Sequence, residues 1–203
     1  MKLYFAPGAC SLSPHIALRE AGLPFTLEKV DISTGRTASG ESFAAINPKG
    51  YVPALKLDDG DVLTEGAAIV QYIADLAPSA GLAPQPATLE RARLQEWLTF
   101  ISSELHKAFS PLFRPGTDEA GRQEARAAIA RRLGYVEAKL ADGRDYLLGD
   151  TFSAADIYLF VITSWAEGKA ISLSTWPRLK ALLERVADRD SVREALSAER
   201  LAA

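Results

Sequence analysis

"KLYFAPGACSLSPHIALREAG", residues 2–22, holds an apolar tetrad, a Pro-Gly break, the chain's only cysteine and a helical run closed by glycine. Residues 2–5 have the content of a short strand, and Ala6-Pro7-Gly8 ends it. From Ser11 to Ala21 the spacing of Leu12, Ile16 and Ala17 is helical, with Gly22 as the stop. Pro14 is tolerated there because a first-turn N–H has no intrahelical partner. The segment therefore reads as strand, turn and helix, with Cys10 at the junction.

The same alternation continues outward. "FTLEKVDI" (25–32) alternates like a half-buried strand, and residues 41–46 suit a short helix closed by "NPKGY". "PALKL" (53–57) and "DVLT" (61–64) flank "DDG", a hairpin signal. "EGAAIVQYIADLA" (65–77) returns to helical spacing through Ile69, Tyr72, Ile73 and Leu76. The order is βαβ–α–ββα, with strand patterning ending near residue 64.

"APSAGLAPQPA" (77–87) reads as an interdomain linker, and everything beyond it as helix. Residues 88–109 carry a core stripe of Leu94, Trp97, Leu98, Ile101, Leu105 and Ala108. "RPGTDEAG" (114–121) interrupts, and a second long helix runs to about Ala141. In "DTFSAADIYLFVITSWA" (150–166), Ser153 with Asp156 three residues on forms a capping-box pattern, which reads as a folding device. Helices near 176–187 and 190–199 finish the chain. The expected division is an α/β domain at 1–80 and an all-α domain at 87–203.

Bulk properties exclude several classes. A chain of 203 residues needs no disulfide or metal to bury a core of ordinary size. Net charge is −3, with 6 basic against 9 acidic residues in 1–80 and 17 against 17 beyond. No basic-aromatic stripe appears, so nucleic acid is not an expected partner. No apolar run approaches a membrane span, and the N-terminus lacks a signal-peptide pattern. The lone cysteine suits a reducing compartment, and a cytoplasmic protein is expected.

Three segments bear chemistry. A free thiol has a pKa of about 8.5, and a helix N-terminus lowers it, so Cys10 reads as an activated thiol with Ser11 and Ser13 adding hydroxyls. Its bland alternative is an inert core filler. Residue 13 is serine, so no C-x-x-C dithiol exists and any redox work needs an external thiol. In "INPKGYVPALKL" (46–57), Val52-Pro53 suits a cis bond that presents the Val52 backbone to an extended peptide-like ligand. Pro53 as the plain start of an edge strand is the alternative. In "LTEGAAI", Glu65 suits an ammonium while the Gly66 and Ala67 N–H groups suit a carboxylate, which together describe an amino-acid head group. Glu65 as a dipole-complementing charge is the competing reading. On the first long helix, Ser103, His106 and Lys107 share a face at α-helical spacing, and His106 suits proton shuttling near neutral pH. On spacing alone a locally satisfied histidine fits as well. His15 and Trp97 read as structural, and Tyr4 as a strand residue.

"CSLSPHIALREAGL", "NPKGYVPAL", "LTEGAAIVQYIAD", "ISSELHKAFSPLF" and "GDTFSAADIYLF", in this order over nearly the whole chain, resemble the glutathione transferases. "PGACSLSPHIALRE" and "SSELHK" are similar to the bacterial beta class. The resemblance implies a thioredoxin-like N-terminal domain, a C-terminal helical bundle and a two-fold homodimer. It implies glutathione as co-substrate, its sulfur near Cys10, its cysteinyl backbone on Val52 beside cis-Pro53, and its γ-glutamyl end at Glu65 and the Gly66 N–H. Gly66 stands where the family often has serine, so a hydroxyl contact is lost. Ser103, Glu104, His106 and Lys107 carry over to the glutathione side, with Glu104 reaching the γ-glutamyl group held by a partner subunit. The class has a lysine after the second strand where this chain has Gly35-Arg36, and Arg36 takes the glycyl carboxylate in its place. Phe109, Phe113 and Trp165 are expected to line an apolar pocket for an electrophile. No metal enters this reading. The implied reaction is attack of the glutathione thiolate on an electrophilic carbon, with Cys10 and His106 as the chemical groups. The alternatives are thiol–disulfide exchange or reductive dehalogenation through Cys10, and a noncatalytic protein that binds glutathione or apolar ligands.

Overall fold

The computed structural model describes residues 1–202. The chain divides into two units, Met1–Ala83 with Asp188–Ala203, and Pro84–Ala187. The last helix thus groups with the N-terminal unit, whereas the sequence division leaves it in the helical half.

In the first unit, β1 (Lys2–Phe5) runs parallel to β2 (Thr26–Asp31) and antiparallel to β4 (Ala54–Lys56), which pairs with β5 (Val62–Thr64). β3 (Arg36–Thr37) extends the sheet antiparallel to β2, giving the order β3-β2-β1-β4-β5. A two-residue strand has no periodicity to read, which is why it was not expected. Strand alternation sends neighbouring β1 side chains to opposite faces. Tyr4 meets Phe43 of α2 (Phe43–Ile46) at 5.8 Å, while Phe5 faces His15 of α1 (Leu12–Glu20) at 6.3 Å. Leu3 is fully buried, and Leu3→Ala would cost about 3 kcal/mol through lost burial and a cavity.

α1 ends as the sequence indicates. Gly22 at φ +63° donates to the Arg19 carbonyl and Leu23 to Leu18, the paired bonds of a Schellman cap. The helix is buried throughout Leu12–Leu18, covered by α3 (Gly66–Leu76) and α9 (Asp190–Leu201). Arg19 Nε donates to His15 Nε2 at 3.1 Å, which leaves the imidazole proton on Nδ1. That proton faces Glu199 Oε1 at 3.0 Å, and Glu199 Oε2 accepts the Gly8 N–H at 3.0 Å. His15 is structural, as expected, and Glu199 fastens the loop before Cys10 to the last helix. Arg189 and Ser191 both bond to Glu20, so α9 is held at both ends.

In the second unit, α4 (Leu89–Phe100) is capped by Thr88, whose hydroxyl accepts the Arg91 N–H at 3.2 Å. The rod continues through a π-helical segment, Ile101–His106, into α5 (Lys107–Phe113). α6 (Glu119–Lys139) starts at Asp118, α7 (Ala154–Thr163) at the Ser153–Asp156 capping box, and α8 (Pro177–Ala187) packs on both. Asp156 is fully buried and also accepts the Leu147 N–H at 2.8 Å. Among the described residues, no helix is long and apolar enough to cross a membrane.

Candidate active site

The turn after β1 delivers Cys10, half-buried, to the N-terminal end of α1. Its Sγ donates to the Val52 carbonyl at 3.4 Å. The serine hydroxyls take other roles than the sequence suggests. Ser11 is fully buried and spends its hydroxyl on the Ala6 N–H and carbonyl, at 3.1 and 3.2 Å. Ser13 donates to the Cys10 carbonyl at 3.0 Å, not to the sulfur. Both fix the backbone that carries the thiol.

Val52-Pro53 is cis, as the sequence indicates. Asn47, buried, holds the preceding loop: its Nδ2 donates to the Tyr51 carbonyl at 2.7 Å and its Oδ1 accepts the Lys49 N–H at 3.1 Å. Glu65 follows β5 at φ +69°, a conformation costly for a side-chain-bearing residue, of order 1–3 kcal/mol. Its Oε1 accepts from Lys49 Nζ at 2.6 Å and Tyr51 Oη at 2.7 Å. The hydrogen bond to Glu65 holds the pKa of Lys49 up, and that of Tyr51 likewise. Cys10, Val52, Tyr51 and Glu65 thus form one connected surface, with the first-turn N–H groups of Gly66 and Ala67 at its Glu65 end. Lys49 and Tyr51 were missed as site residues. Both lie inside "NPKGYVP", and their spacing to Glu65 across the β4–β5 hairpin was the available signal. Arg36 Nη1 donates to the Gly40 carbonyl at 2.8 Å, within its own loop.

The π segment redirects the side chains of the second unit. A π turn takes more than four residues, so Lys107 returns near Ser103 while His106 falls short of it. Ser103, Glu104 and Lys107 line an open groove of about 350 Å³ against α6, where Arg132 Nη2 meets Glu104 Oε2 at 2.6 Å. His106 instead faces α7: its Nδ1 is 3.0 Å from Tyr158 Oη and its ring is 5.1 Å from Trp165. The expected single face for Ser103, His106 and Lys107 is therefore wrong, because it assumed α-helical pitch.

Burial, aided by the neighbouring Lys107 ammonium, pulls the His106 pKa down to about 4. The imidazole is neutral near pH 7, so it suits hydrogen-bond donation better than the proton shuttling expected from an unperturbed value. Phe109 is fully buried and packs edge-on against Trp165 at 5.6 Å, so it is core. Phe113, half exposed, meets Trp165 at 5.2 Å, with Lys169 Nζ 4.1 Å over its ring. Of the expected trio, Phe113 is exposed and Trp165 partly buried, so only Phe109 is fully enclosed.

A five-stranded sheet with a cysteine at its first helix and a cis-proline opposite, followed by a helical unit, defines a thioredoxin-like domain joined to an all-helical one. Residues 8–76 match the glutathione S-transferase N-terminal domain family and residues 100–190 the C-terminal domain family. The chain is 46% identical over 201 residues to the glutathione S-transferase GstA of Escherichia coli O157:H7, covering 99% of this chain and all of that one. Its fold is similar to a sphingomonad glutathione S-transferase complexed with glutathione (TM-score 0.96, 47% identity, 99% and 100% covered). It is also similar to the bacterial beta-class enzyme of Sphingomonas chungbukensis (0.95, 49%, 98% of each). The chain belongs to the glutathione S-transferase family.

Proposed function

We propose that this glutathione S-transferase joins the glutathione thiolate to an electrophilic carbon of an apolar substrate, and that glutathione lies along the Cys10–Val52–Glu65 surface. The observation that carries the reading is the Cys10 Sγ–Val52 carbonyl contact at 3.4 Å, on a surface that continues through Tyr51 to Glu65. The γ-glutamyl ammonium displaces Lys49 from Glu65, and the adjacent carboxylate takes the Gly66 and Ala67 N–H groups. The cysteinyl backbone pairs with Val52 as an added strand would. Arg36 takes the glycyl carboxylate with guanidinium donors not used on Gly40. Cys10 is a hydrogen-bond partner of the glutathione sulfur, and His106 is a neutral donor to glutathione.

Ser103, Glu104 and Lys107 belong to the glutathione side, with Glu104 acting on the tripeptide bound by a second copy of the chain in a homodimer. Trp165 and Phe113 receive the electrophile. The reading places the protein in the cytoplasm. The test is thioether formation from glutathione and an activated aryl chloride, with molar mass in solution measured alongside. Turnover by a dimer supports the reading; glutathione binding without turnover across varied electrophiles contradicts it.

A further inference from the structure

The His106 ring is held at one nitrogen and open at the other. Tyr158 places its hydroxyl 3.0 Å from Nδ1, and the two rings meet edge-on at 87° with centroids 6.2 Å apart. Trp165 braces the ring from a second direction. Among the described residues, no other hydrogen bond to the His106 ring exists, so Nε2 is its open nitrogen. Tyr158 is itself buried: it is 3% exposed and stands two residues beyond Asp156, in the first turns of α7. There the Asp156 carboxylate accepts from the Ser153 N–H, the Ser153 hydroxyl and the Leu147 N–H, each at 2.8 Å.

Imidazole tautomers are decided by what the second nitrogen bonds to. Between a phenol and a neutral imidazole, the more acidic O–H is the donor and the unprotonated ring nitrogen the acceptor. We propose that Tyr158 is a positioning residue: its hydroxyl donates to Nδ1 of His106 and so keeps the ring proton on Nε2, the nitrogen that presents a donor to glutathione. This rests on the reading of His106 as a group that serves glutathione. The capping box then acts beyond stability, because it fixes the helical turn from which Tyr158 reaches His106.

The chain has two histidines, so ring-nitrogen spectra of the ¹⁵N-histidine-labelled protein contain two imidazoles, assigned with His106→Asn. The expected result is an unprotonated, hydrogen-bonded Nδ1 and a protonated Nε2 for His106. Tyr158→Phe is expected to give a mixture of tautomers and about a fivefold fall in kcat, with KM for glutathione unchanged. A purely structural role for Tyr158 would lower the melting temperature and leave the tautomer in place. A proton on Nδ1 in the wild-type spectrum overturns the proposal without any variant, and so does a Tyr158→Phe spectrum identical to wild type. His106→Asn with full kcat overturns the underlying reading, a failure separate from the tautomer, which the spectrum reports directly.

Discussion

The Cys10 thiol donates to the Val52 carbonyl across 3.4 Å, joining residues 42 positions apart that lie just before α1 and just before β4. A donor in this role is a neutral S–H. In the proposed function Cys10 acts on glutathione through one hydrogen bond, worth roughly 1 kcal/mol. Cys10→Ala is expected to lower kcat/KM for aryl-chloride conjugation about fivefold by steady-state kinetics. A loss of a thousandfold or more would assign the thiol a covalent role instead.

Glu65 carries a charge-assisted pair with Lys49, which the proposed function exchanges for the ammonium of glutathione. Hydrogen bonds to charged groups are worth about 1.5–3 kcal/mol. Glu65→Gln should raise KM for glutathione by between tenfold and a hundredfold and leave kcat within about twofold. Initial rates over a range of glutathione concentrations separate the two. A fall in kcat at unchanged KM would place Glu65 outside the binding surface.

His106 makes a prediction about acid stability. Its folded pKa of about 4 lies below the ordinary 6.5, so between these values the unfolded chain binds the extra proton. Stability from the neutral ring is therefore complete above pH 6.5 and is lost as pH falls toward 4. Urea midpoints of wild type and His106→Asn should diverge less at pH 4 than at pH 7. A constant difference across that range would show that the ring does not resist protonation.

Asp156 satisfies two buried donors in the chain that leads into α7. Asp156→Ala strands the Leu147 and Ser153 N–H groups and is expected to destabilise the fold by about 3 kcal/mol. Urea unfolding measures this, and a loss under 1 kcal/mol would mean that water replaces the carboxylate.

These contacts divide sharply by how far the sequence announces them. Gly22, the DDG hairpin, cis-Pro53 and the capping box are local, each fixed by residues within a few positions, and each was legible. The π segment was not, because apolar spacing of Leu98, Ile101 and Leu105 fits α-helical pitch and shows no sign of a wider turn. That single departure separated His106 from Ser103 and Lys107. The Ser11 and Ser13 hydroxyls were misread because their partners are backbone groups of the loop, which composition does not reveal. Glu199 was invisible for a different reason: it meets His15 across 184 positions, and nothing near residue 199 marks it.

The most direct test is a crystal structure of the protein with glutathione bound. The account predicts the tripeptide's sulfur within hydrogen-bonding reach of Cys10 Sγ, its cysteinyl backbone on Val52 and its ammonium on Glu65 in place of Lys49. Glutathione seated away from Cys10, with Lys49 still on Glu65, would contradict it.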